Sequence, residues 1–261
     1  MCQNNLFAPA PEQDSLLDPI VDYIGDHLDL FDKQYMWPMH HGNHIPSSKD
    51  EAQTVREFAG FNVQNAKRIQ DILDWGGISN SERISKEYFN VVNRIQDADS
   101  IKDVLQLGKN GSNWRIASWS KVLAVVKPGF FFIYDSRVAI ALSFITMSAG
   151  CSCYWQIPSP REEGGNDGEY AIFKNACKSS RNQRKAYSMD VCYDLYVKLL
   201  QRMKKIKGVK DRYDNLSDDI KNAYFRCGFE EDKAIMAHLE KMLFMMKERI
   251  LQLPDYQPQH N

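Results

Sequence analysis

The chain has 261 residues, 43% of them hydrophobic and 26% charged, with a formal net charge of −1. This length can bury one large core or two small ones, and the balanced charge indicates no particular partner. The six cysteines form no Cys-x-x-Cys pair and no secretory signal or long apolar span accompanies them, which argues against a disulfide framework and a membrane-spanning segment. We therefore expect a cytoplasmic protein with reduced thiols and no membrane partner.

The N-terminal region begins with a polar, proline-containing segment, residues 1–14, which we expect to be a flexible tail. Leu16 to Phe31 carries apolar residues at helical spacing and predicts an amphipathic helix. The loop that follows gathers three histidines, among them His40, beside Trp37. Because the neighbouring sequence offers no further ligands, we do not predict a metal site there.

The segment from Lys49 to Leu107 predicts four helices, near 49–60, 62–74, 83–96 and 99–107. No part of it alternates apolar and polar residues over a useful length, as a half-buried strand would. The N-terminal half is therefore predicted to be helical, and the fold class is predicted to be all-α.

The most apolar part of the chain runs from Ser112 to Leu142. It begins with a stripe at the spacing of a buried helix, formed by Ile116, Trp119, Leu123 and Val126. Lys121 projects from a different face of this predicted helix, between the small residues Ala117 and Ala124, where a cavity could fit. Taken alone, Lys121 is also compatible with a surface lysine whose charged end reaches solvent.

The run Phe130–Tyr134 is too short for a helix and too apolar for an exposed loop, so we predict buried coil or extended chain. Asp135 then precedes a second apolar helix as its predicted N-cap, and capping alone would explain this residue. One amine and one carboxylate thus come from consecutive helices that must pack together. A desolvated lysine can become the neutral amine that attacks an electrophilic carbon. A carboxylate beside it could steady a developing positive charge.

The character of the chain changes after the central helices. Residues 149–168 have the glycines, prolines and polar residues of a long loop. Tyr154 and Trp155, near its start, are aromatic residues that would pack in the core or contact a ligand. The run from Lys178 to Lys185 is rich in arginine, lysine, serine and asparagine. Such a run suits either a solvated surface or contacts to a nucleic-acid backbone.

Helices are predicted for most of the C-terminal part, residues 169–253. A confident pattern covers Met189–Ile206, and a shorter one follows Ser217 as far as Phe225. The last predicted helix, Phe229–Leu251, is apolar around much of its girth and should lie buried between other helices. Residues 254–261 are a predicted tail.

The sequence Ser-Trp-Ser-Lys121-Val-Leu-Ala, followed by Ile-Tyr-Asp135-Ser-Arg-Val, resembles the core of helix-hairpin-helix DNA glycosylases, closest to bacterial proteins with the 8-oxoguanine glycosylase fold. The resemblance implies a two-lobed helical fold with a cleft between the lobes, one domain over residues 15–253, and a hairpin and catalytic core at about 99–145. It further implies that Lys121 forms a Schiff base at the sugar C1′ and that Asp135 assists base loss. The hairpin turn common in the family, Leu-Pro-Gly-Val-Gly, is replaced here by a turn starting at Gly108. No run of four spaced cysteines lies near the C-terminus, so we expect neither a cluster nor another cofactor.

Candidate binding residues follow from this interpretation. Those expected to contact DNA are Lys109, Asn110, Ser112, Lys178, Arg181, Arg184 and Lys185. Those expected to line a pocket for an extruded base are Trp37, His40, Tyr154, Trp155 and His238. A satisfied buried histidine is the commoner role for a residue placed as His238 is.

The leading hypothesis is a DNA N-glycosylase with AP lyase activity, which excises a modified or damaged base with Lys121 as nucleophile and Asp135 as its assistant. Proteins of this fold are also found with anti-phage systems, so defence-operon proteins are candidate partners. Two alternatives remain open. One is a non-catalytic helical protein that binds nucleic acid or modified nucleotides in such a system, with Lys121 on a phosphate. The other is a helical adaptor in a multi-protein complex.

Overall fold

The computed structural model describes residues 15, 17–28, 66–75, 80–95, 116–127, 129–151, 153–158, 185–186, 189–226 and 229–250. The described helices are α1 (Leu17–Asp26), α2 (Ala66–Trp75), α3 (Ser81–Ile95), α4 (Ile116–Val126), α5 (Ser136–Ser148), α6 (Met189–Met203), α7 (Lys207–Asp214), α8 (Asp218–Arg226) and α9 (Glu231–Ile250). Two short strands, β1 (Cys153–Tyr154) and β2 (Lys185–Ala186), pair in parallel. The part of the chain that the structure describes is therefore mostly helical, in agreement with the predicted all-α class.

The predicted helices agree with the described ones to within a few residues, apart from α1, which ends at Asp26 and not at Phe31. Helix α7 has no counterpart among the predicted helices. Helices α2 and α3 correspond to the segments predicted near 62–74 and 83–96. The helices predicted at 49–60 and 99–107, and both tails, lie outside the described residues. No helix in the described ranges combines the length and the apolar character that crossing a bilayer would need.

Helix α1 belongs to the central core. Leu17, Ile20 and Ile24 form its buried stripe, and this face packs on α6 and α5. Asp18, in its exposed first turn, pairs with Arg202 of α6. The stripe follows the helical period because residues three or four positions apart share a face.

The turn after α4 is shaped by the approach of α9. Gly129 has a φ of +73°, a backbone conformation that side chains other than glycine rarely adopt. A Cβ built at Gly129 would lie 2.7 Å from the Cβ of Lys233 in α9. Gly129 therefore permits both the turn and the close contact between this turn and the start of α9.

The chain between α4 and α5 is buried and extended, as predicted: Phe131, Phe132, Ile133 and Tyr134 are all nearly inaccessible. Extended chain in a core needs partners for its amides and carbonyls, since each unmet group is costly. Side chains from helices supply several of them. The Tyr193 hydroxyl of α6 accepts the Phe132 amide proton at 3.0 Å and donates to the Phe132 carbonyl at 2.7 Å.

The next residues of this segment are held in the same way. The Ser120 hydroxyl of α4 accepts the amide proton of Tyr134 at 3.0 Å. Oε1 of Glu240 in α9 accepts the amide proton of Ile133 at 2.9 Å. The neighbouring helix α4 and two helices that are distant in sequence, α6 and α9, therefore fix the backbone that leads into Asp135.

A pair of tyrosine substitutions tests this role of side chains. Tyr193→Phe is expected to lower the free energy of unfolding by about 1–3 kcal/mol, because it leaves two buried backbone groups of Phe132 unsatisfied. Tyr196→Phe, one turn further along α6, is the matched control: the Tyr196 hydroxyl is buried with no hydrogen-bond partner in the described part of the chain. Its loss should change stability by less than about 0.5 kcal/mol. Urea denaturation of both variants measures the difference, and equal losses would contradict the assignment.

Helix α9 lies across the centre of the molecule. It packs most extensively on α5 and also contacts α6, α7 and α8. Its buried residues include Ile235, Met236, Leu239 and Leu243. The prediction of a last helix buried between other helices is confirmed for the part whose side chains are described, and this position brings Glu240 to the chain before Asp135.

Candidate functional site

Lys121 and Asp135 meet inside the protein. Nζ of Lys121 lies 3.6 Å from Oδ2 of Asp135, and the two side chains are 5% and 14% exposed. Nζ also donates a hydrogen bond to the Ala117 carbonyl at 3.0 Å, one turn earlier in α4. The alternative of a surface lysine with its charged end in solvent is therefore wrong.

Asp135 uses its two carboxylate oxygens differently. Oδ1 accepts hydrogen bonds from the amides of Arg137 and Val138 at 3.0 and 3.3 Å, which caps the N-terminus of α5, while Oδ2 faces Lys121. The predicted N-cap is confirmed. Because the cap fixes the side chain, the second oxygen is held towards the amine.

Burial lowers the pKa of the Lys121 amine below its ordinary value. The nearby Asp135 carboxylate opposes this shift, Arg137 adds to it, and Glu240 opposes it more weakly. Desolvation is the largest cause because taking an ammonium out of water disfavours its charged form. Lys121 therefore gives up its proton more readily than an exposed lysine, and a neutral amine is a nucleophile.

Glu240 of α9 is the carboxyl that the sequence interpretation missed. Burial is the largest cause that raises the pKa of Glu240, from 4.5 to about 8, and the charge of Asp135 raises it further. The hydrogen bond from the Ile133 amide and the positive charges of Lys241 and Lys121 act in the opposite direction. Glu240 is therefore mostly protonated at pH 7. One signal could have identified it: Glu240 shares its helix face with the buried residues Met236, Ala237 and Leu243, where a charged residue is uncommon.

Three tyrosine rings lie beside this group of ionisable residues. The ring centroids of Tyr134 and Tyr196 are 5.6 Å apart, and that of Tyr193 lies 6.2 Å from Tyr134. Burial is the largest cause of the raised pKa of Tyr196, and the charges of Glu240 and Asp135 add to it. A fully buried hydroxyl with no hydrogen-bond partner among the described residues thus lies near both carboxyls. The sequence offered no signal for Tyr196, because a tyrosine on a buried helix face is most often core.

Trp155 was predicted either to line the base pocket or to pack in the core, and the structure shows that it packs in the core. Its side chain is 2% exposed, its ring nitrogen donates to Thr146 Oγ1 at 2.7 Å, and its amide donates to Ser143 Oγ at 3.1 Å. Both partners are on α5. Stacking on a base would need a free ring face, which this packed position does not present.

His238, the other predicted pocket residue with a described side chain, lies away from the pair. Its ring packs edge-on to Tyr213 of α7, with the centroids 6.4 Å apart. It precedes Glu240 by two positions, roughly 200° around the helix. His238 therefore faces α7, whereas Glu240 faces the chain before Asp135.

The remaining predicted residues cannot be placed against the site. Outside the described residues lie Trp37, His40, Lys109, Asn110, Ser112, Lys178, Arg181 and Arg184. Lys185 and Tyr154 are described by their backbone alone, in the strand pair. Within the described ranges, no three His, Cys, Asp or Glu side chains gather as a metal site would require.

The arrangement combines one desolvated amine, one fixed carboxylate and one carboxyl that is mostly protonated at pH 7. These groups suit attack on an electrophilic carbon followed by proton transfer. Comparisons of the chain with protein-family models, curated proteins and solved structures found no match.

Proposed function

We propose that the protein is a DNA N-glycosylase with AP lyase activity that excises a modified or damaged base. The observation that carries the proposal is the amine of Lys121, buried and 3.6 Å from the Asp135 carboxylate. Burying an ammonium is costly even beside a carboxylate, so a buried lysine with a lowered pKa is a candidate for a functional group. The sequence resemblance to helix-hairpin-helix glycosylases gives this amine and this carboxylate their roles.

In the proposed reaction, the neutral amine of Lys121 attacks C1′ of the target nucleotide. The C1′–N bond to the base breaks, the base leaves with its electron pair and takes up a proton, and the amine loses one. The C1′–O4′ bond of the sugar ring then breaks, O4′ takes up a proton from solvent, and a protonated imine joins C1′ to Nζ. Loss of a proton from C2′ expels the 3′ phosphate by β-elimination. Asp135 stabilises the positive charge that develops at the sugar and at the imine.

The exposed fractions of Lys121 and Asp135 indicate the side from which a nucleotide would approach them. Asp135 is more exposed than Lys121, 14% against 5%, so solvent reaches the pair on the carboxylate side. A nucleotide flipped out of the duplex would therefore enter past Asp135 and meet the amine behind it. We place this entrance in the cleft of a two-lobed helix-hairpin-helix fold, with the basic run Lys178–Lys185 on the DNA backbone.

Borohydride trapping tests the proposal. Wild-type protein is incubated with duplex and single-stranded oligonucleotides that carry an abasic site, 8-oxoguanine or a deazapurine, and the imine is reduced to a stable amine. We expect a covalent adduct that peptide mapping assigns to Lys121. Lys121→Gln should form none, and Asp135→Asn, which keeps the helix cap, should reduce the adduct about 10-fold or more.

Lys127→Gln is the matched control, since Lys127 follows the same helix and its Nζ lies over the Phe130 ring, 4.5 Å from the centroid. It should trap DNA as wild type does. Equal adduct in wild type and Lys121→Gln would rule out Lys121 as the nucleophile, and no adduct with wild type on any substrate would rule out the lyase step. Release of free base without an adduct would instead indicate a glycosylase that uses water as nucleophile.

A second candidate function is a non-catalytic protein that binds nucleic acid or modified nucleotides in an anti-phage system. The observation that favours it is the bond from Nζ of Lys121 to the Ala117 carbonyl, which occupies one of the amine's donors within its own helix. In that case, wild type would bind DNA at low salt, but neither free base nor adduct would form on any of the substrates above. Lys121→Gln would bind DNA more weakly, because it removes a phosphate contact.

A further inference from the structure

Glu240 occupies a position where an apolar residue would be expected. Its carboxyl reaches from α9 to the buried chain before α5, where Oε1 accepts the amide proton of Ile133 at 2.9 Å. Ile133 is two residues before Asp135. Because Oδ1 of Asp135 is already fixed by the α5 amides, the bond at Ile133 fixes the other end of the same short stretch. Together with Ser120 of α4, which accepts the Tyr134 amide proton, Glu240 therefore helps to fix where the Asp135 carboxylate stands relative to α4.

The charges around Glu240 come from every element packed against it. They belong to Lys121 of α4, to Asp135 before α5, to the weakly acidic Tyr193 and Tyr196 of α6, and to Lys241 on α9 itself. Arg137 acts on Lys121. Glu240 and Lys121 influence each other directly, since each shifts the pKa of the other towards its charged form. A change in the charge of Glu240 is therefore felt at the amine.

We propose that Glu240 is a positioning residue for Lys121 and Asp135: it holds the backbone that carries Asp135 and adds a titratable carboxyl to their surroundings. The catalytic meaning of this inference rests on the proposed use of Lys121 as a nucleophile. The protonated carboxyl accepts the Ile133 amide through its carbonyl oxygen and adds no negative charge beside the amine. Of the two carboxyls, only Asp135 then carries a charge that favours the ammonium form of Lys121.

The pKa of Glu240 is about 8, so above this pH Glu240 is a negatively charged carboxylate. Two negative charges then favour the ammonium form of Lys121, which cannot attack carbon. The amine of the wild-type protein thus meets growing resistance to deprotonation as the pH rises through this value. Replacing the carboxyl by an amide removes that resistance and keeps the acceptor for Ile133.

Competitive acetylation measures this effect without DNA. The intact protein is labelled with acetic anhydride at a series of pH values, and mass spectrometry follows Lys121 against the exposed Lys205. Glu240→Gln is expected to lower the titration midpoint of Lys121 by roughly 0.5 to 1 pH unit and to leave Lys205 unchanged. Glu230→Gln, at an exposed position just before α9, should shift neither. A Lys121 midpoint in Glu240→Gln that is unchanged or higher would overturn the inference.

Glu240→Met separates the hydrogen bond to Ile133 from the charge of Glu240. Glutamine removes only the charge, whereas methionine removes the charge and the acceptor for the Ile133 amide. In the DNA-trapping assay at pH 7, Glu240→Gln should stay within about two-fold of wild type, whereas Glu240→Met should lose roughly 10-fold or more through misplacement of Asp135. Equal trapping by the two variants would contradict the positioning role. If wild type traps no DNA but Glu240→Gln shifts the Lys121 midpoint, the proposed function fails while the control of the amine by Glu240 stands.

Discussion

Lys121→Met is expected to raise the free energy of unfolding at pH 7, while the same change abolishes imine formation. Burial of the amine lowers its pKa, so the folded state works against the charge that the unfolded chain carries freely. Methionine has a similar length and flexibility without that charge. The change does not leave Asp135 as an unpaired buried charge, because its carboxylate still accepts the two amide protons of the cap and its side chain is 14% exposed. Urea denaturation measures the gain.

The gain should depend on pH with a definite sign. The folded pKa of Lys121 lies below 10.5, so the unfolded chain binds more protons between that pKa and 10.5. Wild-type stability consequently rises through this window, and the advantage of Lys121→Met shrinks as the pH approaches 10.5. Lys205→Met, at an exposed position, is the control and should change stability by less than about 0.5 kcal/mol. A loss of stability in Lys121→Met would mean that the amine is a structural group.

Glu240→Gln is expected to gain stability relative to wild type as the pH rises. The pKa of Glu240 is about 8 in the folded protein and 4.5 in the reference state, so the folded protein binds the proton more tightly. Wild type therefore has this stabilisation in full below pH 4.5 and loses it as the pH rises through 8. The shift corresponds to at most ~5 kcal/mol, and the partial exposure of Glu240 reduces our expected change to ~2 kcal/mol.

The measurement is the free energy of unfolding of both proteins at about pH 5, 7 and 9. Because glutamine does not titrate, the difference between the proteins isolates Glu240 from the other groups. Glu230→Gln should follow wild type across the whole range. A constant difference between Glu240→Gln and wild type would show that Glu240 titrates as an exposed glutamate does, and its proposed influence on Lys121 would then lose its electrostatic basis.

The central part of the site could be predicted because its signals are local. Ile116, Trp119 and Leu123 repeat with the helical period and are buried as expected. The acidic residue ahead of an apolar run predicted the cap of α5, which Asp135 forms. Consecutive helices joined by a short buried segment have few ways to pack, so the meeting of Lys121 with Asp135 followed from sequence order.

The outer part of the site could not be predicted in the same way. Glu240 contacts Ile133 across 107 residues of chain, and no periodic pattern specifies such a partner. From the sequence, the ring of Trp155 could face either a ligand or the core. It faces the core because its ring nitrogen donates to the Thr146 hydroxyl and because it packs against α5. His238 faces Tyr213 because of the rotation of α9 about its axis, which depends on all the helices that α9 contacts.

The sequence by itself determined the helical class of the described chain, the buried extended run before α5, and the presence of an amine and a carboxylate on neighbouring elements. Each of these follows from hydrophobic period, capping and chain connectivity within about thirty residues. Only the tertiary structure decided how deeply Lys121 is buried, which oxygen of Asp135 faces it, and that Glu240 and Tyr196 stand beside them. Desolvation and charge coupling depend on every element packed around a group, and elements from distant parts of the chain come together only in the folded protein.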